Sequence, residues 1–200
     1  MNIVRAVAAA AWWLAVVAWI AAITAPGAAA MVAFTRLPEL EVAIPSTMSY
    51  FEGDPEAAGR FVAGFVTNPI FVAGDSIRLG AAVLAWSAII VTVARPVGRG
   101  RATLVATLCL AIASVTLAAS LMFVSGPLAE SLEAWRTAVF ADDRTSADAA
   151  KAIFDPLHEQ ASRLMQTELI LLLIAAIAGG IASASPAAPP GRTTPGEPRP

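Results

Sequence analysis

The sequence is poor in charged residues, and the charges that it has are nearly balanced. Only 14% of the 200 residues are Asp, Glu, Lys or Arg, against 58% hydrophobic residues, and the net charge is -2 at pH 7. A nucleic-acid-binding protein needs a basic surface to neutralise phosphates, so this composition argues against that class. Such high hydrophobicity lies outside the range of soluble domains and indicates an integral membrane protein.

Cysteine and histidine occur once each, as Cys109 and His158. A lone cysteine forms no intramolecular disulfide, and it leaves the redox compartment undetermined. Membrane haem normally takes two axial ligands, and the sequence has no second histidine. It also contains no Gly-x-Ser-x-Gly elbow and no Gly-rich phosphate loop. We therefore expect a protein that is not an enzyme, with no catalytic residues, no bound metal and no cofactor.

What the sequence does have is four long apolar runs, which predict an all-α bundle of four membrane-spanning helices. A helix needs about 20 apolar residues to cross a hydrocarbon core of about 30 Å. The predicted spans cover approximately residues 6–34, 70–94, 102–124 and 164–184 of a domain 1–184. The first run is also compatible with a cleaved signal peptide, with Arg5 as its basic start, although it is longer than usual. Residues 185–200 form a Pro-rich tail too poor in apolar residues to fold.

The segment from Arg95 to Arg101 predicts the orientation of the bundle. It contains three arginines and no acid, and it joins the second span to the third. Short Arg-rich loops stay on the cytoplasmic side of a membrane. We therefore expect the N-terminus, this loop and the disordered tail to be cytoplasmic, and the acidic segments after the first and third spans to lie outside. A bacterial cytoplasmic membrane is the expected location.

Two amphipathic helices are predicted between the spans, on the extracytoplasmic side. In the first, Asp54 is the expected N-cap and Pro55 the first helical residue. Apolar residues then recur at three- and four-residue spacing from 61 to 66, and Glu56 and Arg60 form an i,i+4 pair. Asn68-Pro69 is expected to interrupt this helix before the second span begins.

The second amphipathic helix is expected to follow a break or kink at Gly126-Pro127. Its apolar positions recur at helical spacing from Leu128 to Val139, and a polar turn at residues 142–145 ends it. Ser146 to Asp148 are the expected cap of a last helix, and Pro156 marks either its real start or a kink.

A few polar residues near the ends of the spans are the candidate site. Asp75 and Arg78, three residues apart, are expected to share a helix face and to lie at the outer membrane interface. His158 and Ser162 fall on the border of the apolar face of the last helix. We expect His158, Asp75 and Arg78 to meet near the outer membrane face, as part of a polar cluster that also includes Ser162 and Glu168. A structural role for His158 in docking the last helix is the leading interpretation, and proton relay or metal binding are the alternatives.

Several short motifs resemble a family of small four-helix membrane proteins, known as domain of unknown function 4149 or transmembrane protein 205-like. The similar positions are Phe154, Leu157, His158, Ser162, Arg163 and Leu164 in the last helix, Phe34 with Leu37-Pro38, Glu56 to Arg60 with Phe65, and Pro127. Residues 39–54 depart from the pattern as an insertion. The resemblance implies a four-span architecture and no established activity.

Three functional hypotheses follow. The first is a structural or accessory membrane component that contacts the lipid bilayer and either a membrane-protein partner or a second copy of itself. The alternative is a small transporter with a polar site near His158, Asp75 and Arg78, which requires a polar cavity open to the outside. A membrane redox protein is a more distant alternative. It would require a bound cofactor.

Overall fold

The computed structural model describes residues 3–93 and 100–184. These residues form five α-helices and two short helical turns: α1 (Ile3–Glu39), a 3-10 turn (Pro45–Thr47), α2 (Pro55–Val93), α3 (Arg101–Ala119), a π-helical turn (Ser120–Val124), α4 (Ser125–Phe140) and α5 (Arg144–Ala184). The expected all-α class is confirmed. The arginines at 95 and 99 and the Pro-rich tail 185–200 lie outside the described residues.

The helices form four long rods, because α3, the π-helical turn and α4 run on without a loop. Helix α1 has 37 residues and α5 has 41. At 1.5 Å per residue, rods of this size are about 55 to 60 Å long, nearly twice a hydrocarbon core of about 30 Å. The amphipathic segments are therefore extensions of the spanning helices, and the expected break between them and the spans was wrong.

Proline residues do not end these rods. Helix α2 continues through Pro69 and α5 through Pro156, so the interruption expected at Pro69 and the helix start considered at Pro156 were wrong. A proline removes one helical hydrogen bond, and packing on both sides can offset that loss. Before Pro127 the helix takes a wider π-helical turn, in which the Ser125 hydroxyl donates to the Ser120 carbonyl at 3.2 Å. At Gly126-Pro127, where a break or kink was expected, the helix continues after a local change of helical pitch.

The rods pair as two hairpins. Helix α1 packs along α2, while α5 packs along α3 and α4, and the two hairpins meet through α1 and α5. Two glycines let α2 approach α1 closely: a Cβ at Gly59 would lie 2.7 Å from the Pro38 Cα, and one at Gly74 would lie 2.8 Å from the Ala22 carbonyl oxygen. Helices α2 and α3 touch much less, which leaves a groove between them.

The bundle has two hydrophobic cores. One lies in what we call the apolar half, which comprises residues 3–34, 70–93, 101–124 and 164–184. Half of its buried residues are alanines: Ala15, Trp19, Ile23, Ala81, Ala82, Ala85, Leu110, Ala113, Leu117 and Leu172. Small residues allow helix backbones to pack closely in a membrane, where lipid tails compete for apolar surfaces.

The second core lies in what we call the polar half, residues 35–69 and 125–163. It is aromatic: Phe61 has ring centroids of Phe51, Phe65 and Trp135 within 5.1 to 5.4 Å. The segment 39–54, expected as an insertion, supplies Tyr50 and Phe51 to this core. Arg136 is buried against this core, lies 4.1 Å over the Phe65 ring and donates to the Gly64 carbonyl at 3.0 Å.

Helix starts in the polar half follow side-chain capping. One carboxylate oxygen of Asp54 accepts the amide N–H groups of Glu56 and Ala57, at 2.9 and 3.2 Å, so the expected cap is confirmed. Helix α5 begins at Arg144, before the predicted cap at Ser146, because Asp143 takes that role. Its carboxylate accepts the Ser146 amide at 3.1 Å and the hydroxyl at 2.7 Å, which holds the pKa of Asp143 below its usual range.

Candidate functional site

Glu168 of α5 is the most deeply buried charged residue that the structure describes, with no exposed side-chain surface. One of its carboxylate oxygens, Oε1, accepts the Trp19 indole N–H from α1 and the Arg78 Nε–H from α2, the latter at 3.2 Å. The other, Oε2, accepts the Arg78 Nη2–H. One carboxylate therefore joins three of the four rods.

Arg78 meets Glu168 in the two-pronged geometry that guanidinium and carboxylate groups favour. Its remaining terminal nitrogen, Nη1, donates to an Asp75 carboxylate oxygen at 2.5 Å. All three guanidinium nitrogens are thus bonded to acids. These bonds are shielded from solvent, since only 3% of the Arg78 side chain is exposed. The Asp75 side chain is 34% exposed and is the member that reaches the surface. We refer to Trp19, Asp75, Arg78 and Glu168 as the charge cluster.

The charge cluster lies at one depth of the bundle. Trp19 is 16 residues from the start of α1, Arg78 is 15 residues from the end of α2, and Glu168 is 16 residues from the end of α5. At 1.5 Å per residue, each is about 23 Å from the terminal end of the apolar half. A hydrocarbon core of about 30 Å that began at this end would include the cluster, near the boundary next to the polar half.

Burial makes the pairing of these charges obligatory. An unpaired charge in such a low-dielectric place is strongly unfavourable, whereas a bidentate pair with further hydrogen bonds compensates much of the desolvation. The cluster holds two carboxyl groups, those of Asp75 and Glu168, against the single guanidinium of Arg78. Of the two carboxyl groups, only that of Asp75 is partly exposed.

The structure brings Asp75, Arg78 and Glu168 together, but it places His158 and Ser162 elsewhere. His158 is exposed in the polar half and stacks on Phe154 of its own helix, with a centroid distance of 5.4 Å. The Ser162 hydroxyl donates to the His158 carbonyl at 2.9 Å, also within α5. Because His158 is ten residues from Glu168, the two are about 15 Å apart along the helix axis. The expected contact of His158 with Asp75 and Arg78 is therefore corrected.

Trp19 is the member of the cluster that the sequence analysis did not include. Asp75 and Arg78 were expected at the outer membrane interface, and the structure adds that Arg78 is buried between helices. The sequence does contain a pattern that indicates the ion pair between Arg78 and Glu168. Glu168 is the only charged residue between Leu164 and Ala184, and Arg78 is the only basic one between Phe61 and Ala94. A lone acid and a lone base in two spans are natural partners in a membrane.

The charge cluster does not line either of two grooves on the surface of the described residues. The first, of about 370 Å³, lies between α2 and α3 in the apolar half. The second, of about 550 Å³, lies in the polar half where α1 ends and α2 begins, between Phe34 and Arg60. Within residues 3–93 and 100–184, no group of three or more His, Cys, Asp or Glu side chains is placed to hold a metal ion.

Comparisons of the chain with protein-family models, curated proteins and solved structures found no match. The resemblance to the four-helix family therefore stays a prediction. The fold itself defines the class: four helical rods are each long and apolar enough to cross a membrane. This architecture is that of a multi-pass membrane protein.

The indole of Trp19 provides a first test of the cluster. We expect Trp19→Phe to destabilise the bundle by about 1–3 kcal/mol, because it removes a donor from a buried carboxylate while keeping most of the apolar volume. Thermal unfolding in a mild detergent, followed by circular dichroism, measures the change. Trp13→Phe is the matched control, since Trp13 is 36% exposed. Equal losses in the two variants would show that the hydrogen bond contributes nothing.

Proposed function

We propose that this protein is a structural or accessory component of a membrane, without catalytic activity, and that it holds its polar half rigidly beside the bilayer. The observation that carries the proposal is the fully buried pair of Arg78 and Glu168. All three guanidinium nitrogens and both carboxylate oxygens of this pair are bonded within the bundle, so no group of the pair is left to bind a passing substrate. Such saturation favours a fixed joint between rods.

The continuity of the rods supports the same role. Each passes from the apolar half into the polar half without a loop, and each half has its own hydrophobic core. The polar half therefore keeps a fixed position relative to the membrane. Its exposed surface carries ion pairs typical of a water-facing helix, such as Lys151 with Asp155 and Arg163 with Glu159. A surface held in this way is suited to contact a membrane-protein partner or a second copy of the chain.

The distribution of charge supports an orientation with the polar half outside the cytoplasm. In the sequence, Arg95 and Arg99 fall between α2 and α3, and Arg101 is the first residue of α3. Arg192 and Arg199 follow α5 in the sequence, so all five arginines come next to helix ends remote from the polar half. We propose a bacterial-type cytoplasmic membrane as the location, with both termini cytoplasmic. The resemblance to the four-helix family supports the same architecture.

Cysteine accessibility tests whether the interior is closed. Ala85 and Ala175 are fully buried, and each lies seven residues, or two turns, beyond Arg78 and Glu168 toward the terminal end. In a Cys109→Ala background, we expect Ala85→Cys and Ala175→Cys to resist a membrane-impermeant methanethiosulfonate reagent added to either side of proteoliposomes. Glu159→Cys, at an exposed position of the polar half, should react readily and serves as the control.

The alternative hypothesis, a small transporter, has one specific observation in its favour. Asp75 is partly exposed and directly bonded to the buried Arg78, so it connects the membrane interior with the surface. A transporter that opens past the charge cluster would admit the reagent to the Ala85→Cys or Ala175→Cys variant from the side of the polar half. Labelling of either variant would overturn the structural proposal in favour of transport. A visible absorption band in the purified protein would instead favour the redox hypothesis.

A further inference from the structure

The groove between α2 and α3 is an unfilled surface within the apolar half. Its lining residues are Leu79, Ala82, Val83, Trp86, Ser87, Ile90, Ser114, Leu117, Ala118 and Leu121. Its floor is buried, as Ala82 and Leu117 show, whereas Val83 and Ile90 on its rim are 62% and 65% exposed. The groove is therefore open along its side to whatever surrounds the bundle at this depth.

The polar groups of the groove are already paired within the protein. The Trp86 indole N–H donates to the Ser114 hydroxyl at 2.9 Å, and that hydroxyl donates to the Leu110 carbonyl at 2.8 Å. The Ser87 hydroxyl donates to the Val83 carbonyl at 2.8 Å. With these donors occupied, the groove presents hydrocarbon to an occupant, and a polar substrate would lose its hydrogen bonds to water there without replacement.

One end of the groove lies next to the charge cluster along α2. Asp75 precedes Leu79 by four residues, and Val83, Trp86 and Ile90 continue the same stripe of α2. The Asp75 carboxylate therefore lies one helical turn beyond the groove, on the side of the polar half. It is partly exposed, and it belongs to a cluster with two carboxyl groups and one guanidinium. Apolar lining followed by an accessible carboxylate is complementary to an amphiphile with a cationic head.

We propose that this groove binds a phospholipid with a primary ammonium headgroup, such as phosphatidylethanolamine, from the leaflet next to the polar half. The ammonium group donates hydrogen bonds to Asp75, and one acyl chain lies along the groove. The length of the site fits one acyl chain. The helix from Asp75 to Trp86 is about 16 Å long, which is close to the thickness of one leaflet, or half of a hydrocarbon core of about 30 Å. The bound cation also adds a second positive group beside the two carboxyl groups of the cluster.

Lipid retention by the purified full-length protein tests this site. The protein is equilibrated in detergent with equal amounts of phosphatidylethanolamine, phosphatidylcholine and phosphatidylglycerol that have identical oleoyl chains, and bound lipid is counted by native mass spectrometry. We expect one phosphatidylethanolamine per chain, retained in preference to phosphatidylcholine, which has no ammonium N–H, and still more in preference to anionic phosphatidylglycerol. Equal retention of the three lipids by the unmodified protein would overturn the proposal without any variant.

Two kinds of variant test the headgroup contact and the binding of the acyl chain in the groove separately. We expect Asp75→Asn to reduce the preference for phosphatidylethanolamine over phosphatidylglycerol about tenfold, the size expected for one hydrogen bond between charged groups. Asp75→Glu should retain most of the preference. Val83→Trp should fill the groove and release the lipid. The matched control, Val115→Trp, replaces a residue of α3 that is 69% exposed and does not line the groove, and it should retain the lipid.

Two other results would contradict a lipid site. An unchanged headgroup preference in Asp75→Asn would show that this carboxylate does not contact the lipid. If light scattering detects a dimer that Val83→Trp alone dissociates, then a second copy of the chain occupies the groove. Circular dichroism melting of each variant, compared with that of Val115→Trp, distinguishes release of lipid from loss of fold.

Discussion

Replacing Glu168 with Leu is expected to destabilise the bundle by about 3–5 kcal/mol, the usual cost of removing one partner of a buried ion pair. The substitution leaves the Arg78 guanidinium within the bundle with Asp75 as its remaining acid, and it leaves the Trp19 indole N–H without an acceptor. Reversible unfolding in mixed micelles of mild detergent and dodecyl sulfate, followed by circular dichroism, measures the free energy of unfolding.

The double variant Arg78→Met, Glu168→Leu tests the reason for this loss. If the cost comes from an uncompensated charge, removing both members should recover much of the stability, because a well-packed apolar pair replaces a buried ion pair at little cost. Glu159→Leu is the control, since Glu159 forms an exposed pair with Arg163 and should change stability by less than about 1 kcal/mol. A double variant no more stable than Glu168→Leu alone would show that the two side chains do not act as a pair.

The sequence contains enough information to predict the class of fold, because class depends on local composition. In a membrane, the backbone N–H and C=O groups of a long apolar run must be hydrogen-bonded within the protein, and an α-helix does this within the run itself. The four runs correspond to four rods. Capping is equally local, and for this reason Asp54 is correctly predicted as the start of α2. Neighbouring charges on one turn, such as Asp75 with Arg78, follow from helical spacing alone and are also confirmed.

Predictions that depend on the packing of distant segments were less successful. Local rules predict an interruption at Pro69 and allow a helix start at Pro156 because proline is unfavourable inside a helix, whereas α2 and α5 continue through these residues and pack against neighbouring helices. His158 lies on the edge of an apolar stripe, and helical periodicity cannot tell whether such an edge faces a neighbouring helix or solvent. Glu168 was included in the predicted polar cluster with Arg78, but it is 90 residues away, so its direct pairing with Arg78 could not follow from a spacing rule.

Close packing between α1 and α2 leads to the second large effect, which is expected at Gly74. Pro26 has no N–H to donate to the Ala22 carbonyl, and this carbonyl oxygen lies 2.8 Å from the position that a Cβ at residue 74 would occupy. The Pro26 ring lies 3.2 Å from the same position. Gly74 therefore lets the two helices approach where a proline leaves a carbonyl without its helical donor, an arrangement in which the glycine Cα–H can donate weakly to that oxygen.

We expect Gly74→Ala to destabilise the protein by about 1–3 kcal/mol through overpacking, even though alanine is the better helix former by about 1 kcal/mol. The clash is with backbone, so α1 and α2 must separate, and Trp19 on α1 should move away from Glu168. The control is Gly80→Ala on the same helix, where an added Cβ meets no atom within 4 Å. This variant should gain stability from helix propensity alone. The free energy of unfolding and the Trp fluorescence spectrum together measure the contrast. If the two variants respond alike, helix propensity governs both positions, and the approach of α2 to α1 is looser than the glycine contact implies.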